Sequence, residues 1–98
     1  MKYRLIGNLG IHSSLQALGC MGMSEFYGKA TEKESLSVLS RAVALGINHF
    51  DTADLYGRGA NEILIGKFLR ETPREDILVA SKFGIMRDPD GALGSTYD

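Results

Sequence analysis

The sequence of 98 residues predicts an α/β fold with a parallel sheet. Two segments with apolar residues at helical spacing alternate with three short apolar runs of strand length. That alternation implies right-handed crossovers between parallel strands. A hairpin punctuated by glycines precedes them. The composition agrees, with 44% hydrophobic and 23% charged residues as in an ordinary globular domain.

The elements follow in order. Tyr3 to Ile6 and Ile11 to Ser14 flank Gly7-Asn8-Leu9-Gly10 and predict a short β-hairpin. Leu15 to Leu18 reads as a short buried strand ending in the loop Gly19-Cys20-Met21-Gly22-Met23. A helix starts at Thr31, which forms a capping box with Glu34, and stops at Gly46, the residue type favoured just past a helix end. Leu36, Leu39, Ala42 and Val43 give it one apolar face. Ile47 to Phe50 predicts the second strand, running into a loop at Asp51.

A second helix is expected from about Asn61 to Arg70, packing through Leu64, Ile65, Phe68 and Leu69. Gly66 inside it costs about 1 kcal/mol relative to alanine, and a tight contact between helix and sheet would account for it. Thr72-Pro73-Arg74 breaks the chain, and Ile77 to Ser81 supplies the third strand. The segment from Met86 to Asp98, with Pro89, Gly91 and Gly94, reads as a loop. No repeat, low-complexity stretch or linker marks a domain boundary.

Charge and cysteine content exclude several function classes. A formal net charge of -1, with no basic run, points away from nucleic acid and anionic membrane. No apolar run approaches the roughly 20 residues of a membrane span. Lys2 and Arg4 are followed by interrupting glycines rather than a signal-peptide core. The single cysteine, Cys20, excludes an internal disulfide and fits a reducing cytosol, so the expected location is the cytoplasm. No cysteine–histidine cluster suggests a metal, and Gly19, Gly22 and Gly28 do not form a dinucleotide-binding glycine fingerprint.

Asp51, Tyr56 and Lys82 stand out. Asp51 and Lys82 are separated by about one strand–helix–strand unit, which takes some 30 residues. Adjacent parallel strands would bring their ends within roughly 5 Å. Tyr56 lies in the loop after Asp51, close enough to fold back over that edge, where parallel α/β sheets bind ligands. A free tyrosine, with a pKa of about 10, is a poor acid near neutrality, and a neighbouring ammonium favours its phenolate. Asp51 would keep Lys82 charged and oriented. The set suits proton delivery to a carbonyl oxygen, with the hydride supplied by a cofactor because no side chain carries one. The plainer reading is an ion pair on a sheet edge. His49 reads as a packed core histidine, His12 as a surface residue and Asp54 as a loop residue. Cys20 and Met21 fit an apolar lining as well as specific ligands, and Met23 fits packing.

The run Asp51-Thr52-Ala53-Asp54-Leu55-Tyr56-Gly57 resembles the signature around the catalytic aspartate and tyrosine of the aldo-keto reductases. Ser81-Lys82-Phe83-Gly84 resembles the segment carrying that family's lysine. Leu18 to Ser24 with Glu25-Phe26-Tyr27-Gly28, and Asn61-Glu62 with Gly66, are similar to a subgroup of larger bacterial and plant members. Ala17 departs from an expected glycine. The resemblance implies the N-terminal part of a (β/α)8 barrel, with the hairpin as its bottom cap and residues 1–98 an incomplete NADP-dependent oxidoreductase domain.

It also implies NADPH as hydride source and a small-molecule carbonyl substrate. Tyr56 becomes the proton donor, tuned by Asp51 and Lys82. Gly19, Cys20, Met21 and Asp51 lie beside the nicotinamide. A fourth catalytic residue, a histidine after the next strand, and the contacts to the adenosine phosphate are expected beyond residue 98. On this reading the 98-residue chain by itself is inactive and self-associates through its open sheet edge. The alternative is a non-catalytic remnant or a partner-binding module.

Overall fold

Short strands and two amphipathic helices alternate along the chain, and the computed structural model describes residues 1–8, 10–23, 31–87 and 93–95. The hairpin forms as expected: β1 (Tyr3–Ile6) pairs antiparallel with β2 (Ile11–Ser14), Tyr3 opposite Ser14 and Ile6 opposite Ile11. The next strand is displaced. β3 spans only Leu18–Gly19, whereas Leu15 is 54% exposed and donates its N–H to the Lys2 carbonyl at 2.9 Å. Leu15 therefore extends the hairpin. The strand begins where the chain comes into register with its parallel neighbour. Met21–Met23 follow as one 3-10 turn.

α1 (Glu32–Ala44) has the predicted start and stop. The Thr31 hydroxyl oxygen accepts from the Glu34 N–H at 3.1 Å, and its O–H donates to the Glu34 carboxylate at 2.9 Å. This is half a capping box, because Glu34 accepts from the threonine hydroxyl where the full motif uses the backbone N–H. At the other end Gly46 adopts φ 94, a conformation that disfavours side chains, and an added Cβ would come within 2.9 Å of Met1. Leu39 and Ala42 are buried and Leu36 and Val43 pack against them.

β4 (His49–Asp51) starts two residues later than expected and ends at Asp51 itself. Ile47, although apolar, precedes the strand, because Asn48 is committed to the hairpin. Its amide donates to the His12 carbonyl at 2.9 Å and accepts from the Ser14 N–H at 2.7 Å. After a 3-10 turn over Tyr56–Gly59, α2 covers Ala60–Arg70. Gly66 has no neighbour within 4 Å of where a Cβ would stand, so the tight contact expected there is absent.

β5 (Leu78–Ala80) runs parallel to β4, with His49 opposite Leu78 and Asp51 opposite Ala80. β3 lies parallel on the other side of β4, giving the order β3-β4-β5. Period-two alternation turns Phe50 to the helical layer, where it is fully buried at 5.5 Å from the Phe68 ring centroid. Cys20, Leu39, Ala42, Leu64, Ile65 and Ile77 complete that core. His49 and Asp51 share the opposite face.

The segment after Lys82 corrects the expected loop. β6 (Ile85–Arg87) and β7 (Leu93–Ser95) pair antiparallel, with Met86 opposite Gly94. Pro89-Asp90-Gly91, between them in the sequence, is a turn signal that marks such a hairpin. Residues 24–30, which carry part of the family-like motif, lie outside the described residues.

Candidate active site

Two parallel strands bring the three proposed residues to one edge. Pairing of β4 and β5 continues past both strand ends, because the Thr52 N–H donates to the Ala80 carbonyl at 2.8 Å and the Asp54 N–H to the Lys82 carbonyl at 3.1 Å. The lysine is thereby held opposite the loop that leaves β4. Its ammonium has three acceptors for three protons: Asp51 Oδ1 at 2.6 Å, the Thr52 carbonyl at 2.8 Å and the Tyr56 hydroxyl oxygen at 3.2 Å. The same nitrogen lies 5.0 Å from the Tyr56 ring centroid. Tyr56 accepts from the lysine, so its own O–H remains available for an acceptor.

Burial pulls the Lys82 ammonium towards neutrality, but the hydrogen bonds it donates to Asp51 and Tyr56, with the Asp51 charge, outweigh it. The pKa is held above the ordinary 10.5, so the lysine is a cation at neutral pH. Side-chain exposures of 45% and 44% for Lys82 and Asp51 mean the ion pair contributes at most about 1 kcal/mol to the fold. Its value is geometric and electrostatic.

Beside it, a cavity of about 320 Å³ is lined by Gly19, Cys20, Met21, Gly22, Asp51 and Tyr56. The loop after β3 thus faces one hollow with Asp51 and Tyr56. Apart from its chain neighbours, no atom lies within 4 Å of the position a Gly19 Cβ would take, so that position faces open space. A larger hollow of about 770 Å³ lies between the hairpin and the amino ends of β4 and β5. That is the end that scaffolds a parallel α/β structure rather than the end that binds ligands.

Cys20 is fully buried, and all its polar groups are engaged. Its N–H donates to the Asp51 carbonyl at 2.9 Å, its carbonyl accepts from the Asn61 amide at 2.6 Å, and its thiol faces the Leu18 carbonyl at 3.6 Å. Burial, and secondarily the Asp51 charge, push the thiol up to about 11, far from a reactive thiolate. His49 sits outside the hollow, with Nδ1 3.0 Å from the Ser13 hydroxyl, and ties the sheet to the hairpin. His12 is exposed at the hairpin and Asp54 in its loop. Among the described residues no group of three or more metal-ligating side chains occurs, and no helix is long and apolar enough to cross a membrane.

Sequence reasoning missed two supporting hydrogen bonds. Thr52 and Asn61, 1% and 0% exposed, are joined by a hydrogen bond from the threonine hydroxyl to Asn61 Oδ1 at 2.5 Å. The Ser81 hydroxyl donates to Glu62 at 2.7 Å, next to Lys82. Asparagine and glutamate at a helix start read as exposed capping residues, and nothing in their spacing marks them as buried or bridging.

Residues 17–97 match the model of the aldo/keto reductase family. The chain is 46% identical to a probable aldo-keto reductase of Glycine max, over 82% of its own length and 23% of that protein. It is 41% identical to the NADP(+) aldo-keto reductase yakc of Schizosaccharomyces pombe, over 74% of its length and 22% of the relative. The chain therefore spans under a quarter of the curated relatives it matches. Among solved structures, the holo form of a Bacillus halodurans aldo-keto reductase superposes on 100% of the chain and 30% of its own. The TM-score there is 0.77 at 37% identity. These neighbours are (β/α)8 barrels, and the hairpin with three parallel strands and two helices corresponds to part of one.

Proposed function

The chain belongs to the aldo/keto reductase family, and from that premise we propose that it carries the proton-delivering part of an NADPH-dependent carbonyl reductase. The single observation that carries this reading is the Lys82 ammonium held between Asp51 at 2.6 Å and the Tyr56 hydroxyl at 3.2 Å. Tyr56 donates its proton to the oxygen of an aldehyde or ketone. Lys82 stabilises the phenolate that remains, since a cation close by favours the charged form. Asp51 holds the ammonium on that line and keeps it charged.

The hollow beside Tyr56 suits a nicotinamide ring, with Gly19 and Met21 as its floor and Asp51 at its rim. Cys20 contributes by fixing the loop to β4 and to Asn61. When bound there, NADPH supplies the hydride that reaches the carbonyl carbon. The choice of NADPH is supported by the yeast relative, whose name specifies NADP(+). Residues 1–98 form part of one oxidoreductase domain on this reading, working in the cytoplasm on small-molecule carbonyl compounds.

The test is NADPH consumption by the full-length protein carrying this sequence, against a panel of aldehydes and ketones. Tyr56→Phe should lower kcat by about 10²- to 10⁴-fold, the range for losing a positioned acid. A folded full-length protein that reduces no carbonyl compound overturns the proposal.

A further inference from the structure

We infer that Asn61 is the positioning residue of this site, with Thr52 as its relay; the inference rests on the proposed reductase reading. A buried amide is costly unless both its ends are bonded. A leucine would fill the same space without that demand, so what the amide adds is direction.

Asn61 points its donor and its acceptor at two different segments of the site. Nδ2 donates to the Cys20 carbonyl at 2.6 Å, holding the loop that floors the hollow. Oδ1 accepts from the Thr52 hydroxyl at 2.5 Å, and the Thr52 carbonyl in turn receives the Lys82 ammonium at 2.8 Å. The Thr52 N–H is spent on the Ala80 carbonyl at 2.8 Å, so this peptide is fixed on every side. One amide on α2 thereby sets both the position of the loop after β3 and the seat of the lysine. Adjacent on the same turn, Glu62 accepts from the Ser81 hydroxyl at 2.7 Å and steadies the segment entering Lys82.

The two ends make separable predictions. Asn61→Asp keeps the acceptor for Thr52 but sets a carboxylate oxygen against the Cys20 carbonyl, so it releases the loop. In the full-length protein, the NADPH Kd, read from the cofactor's own fluorescence, should rise about tenfold. Alkylation of Cys20 by iodoacetamide, followed by mass spectrometry, should accelerate by at least as much. Thr52→Val keeps shape and removes the hydroxyl. It should lower kcat about tenfold to a hundredfold, the effect expected of a small misplacement, and shift the alkaline limb of the kcat–pH profile, with NADPH Kd little changed. Thr52→Ser should restore both.

Variants that lose thermal stability yet keep wild-type Kd, Cys20 protection, kcat and pH profile overturn the inference. If Asn61→Asp does not fold, the Thr52→Val and Thr52→Ser pair decides alone. An active wild type killed by Tyr56→Phe but indifferent to these variants refutes the positioning role and leaves the reductase reading intact. A wild type with no reductase activity refutes that reading, while the Cys20 alkylation rates still report whether Asn61 holds the loop.

Discussion

At the scale of single residues, the site is a contrast between exposed and buried polarity. Asp51 and Lys82 stay nearly half exposed, so their pairing orients rather than stabilises. The grouping of these two with Tyr56 was legible because a carboxylate and an ammonium fall at the ends of adjacent strands, with a phenol in the loop that leaves the first. The parts that hold them were not, since a buried Thr52–Asn61 bond leaves no pattern in a linear sequence. Cys20 shows how burial sets reactivity. Burial pushes its thiol from the ordinary 9.0 up to about 11 in the fold. Between those values the unfolded state has released a proton that the folded state retains, so stability falls as pH rises through the window. Denaturant melts of the protein at pH 8 and pH 11 should show a larger loss for wild type than for Cys20→Ala. Equal losses would mean that the thiol is hydrated in the folded state.

At the scale of elements, both helices, the first hairpin and β5 were predicted to within a residue, whereas β3 and β4 were displaced. Capping groups and an apolar face lie within the helix itself, as Thr31, Leu39 and Gly46 show for α1. A strand of two or three residues is bounded by its partners. β3 begins at Leu18 because Leu18 meets Phe50, and Leu15 goes to the hairpin despite an equally apolar side chain. α2 offers a test of the same distinction. Gly66 lies within the helix with nothing within 4 Å of an added Cβ, so it fills no packing need. Gly66→Ala should therefore raise stability by about 0.5 to 1 kcal/mol, through helix propensity and a less flexible unfolded chain. Urea unfolding measures it, and a destabilised variant would show that something presses on that face.

At the scale of the whole molecule, the fold class followed from the alternation of periods, but the balance of the structure follows from closure. β4 has a neighbour on both sides, whereas β3 and β5 each have one among the described strands. In a closed barrel every strand edge is paired, and about 250 residues are needed to achieve it. Tyr3, Leu5 and Ile6 of the hairpin are also close to half exposed. A polypeptide of these 98 residues alone thus presents strand edges and apolar surface that a barrel would cover. Under the proposed function the hollow beside Tyr56 would hold only one end of the cofactor in such a chain, and a dinucleotide held at one end loses the contacts that offset its ordering. The isolated polypeptide should bind NADPH negligibly, and its sedimentation coefficient should rise with concentration. Saturable micromolar binding by calorimetry, with a monomer at every concentration, would instead mean that three strands and two helices form a self-sufficient binding unit, and the closure argument would fail.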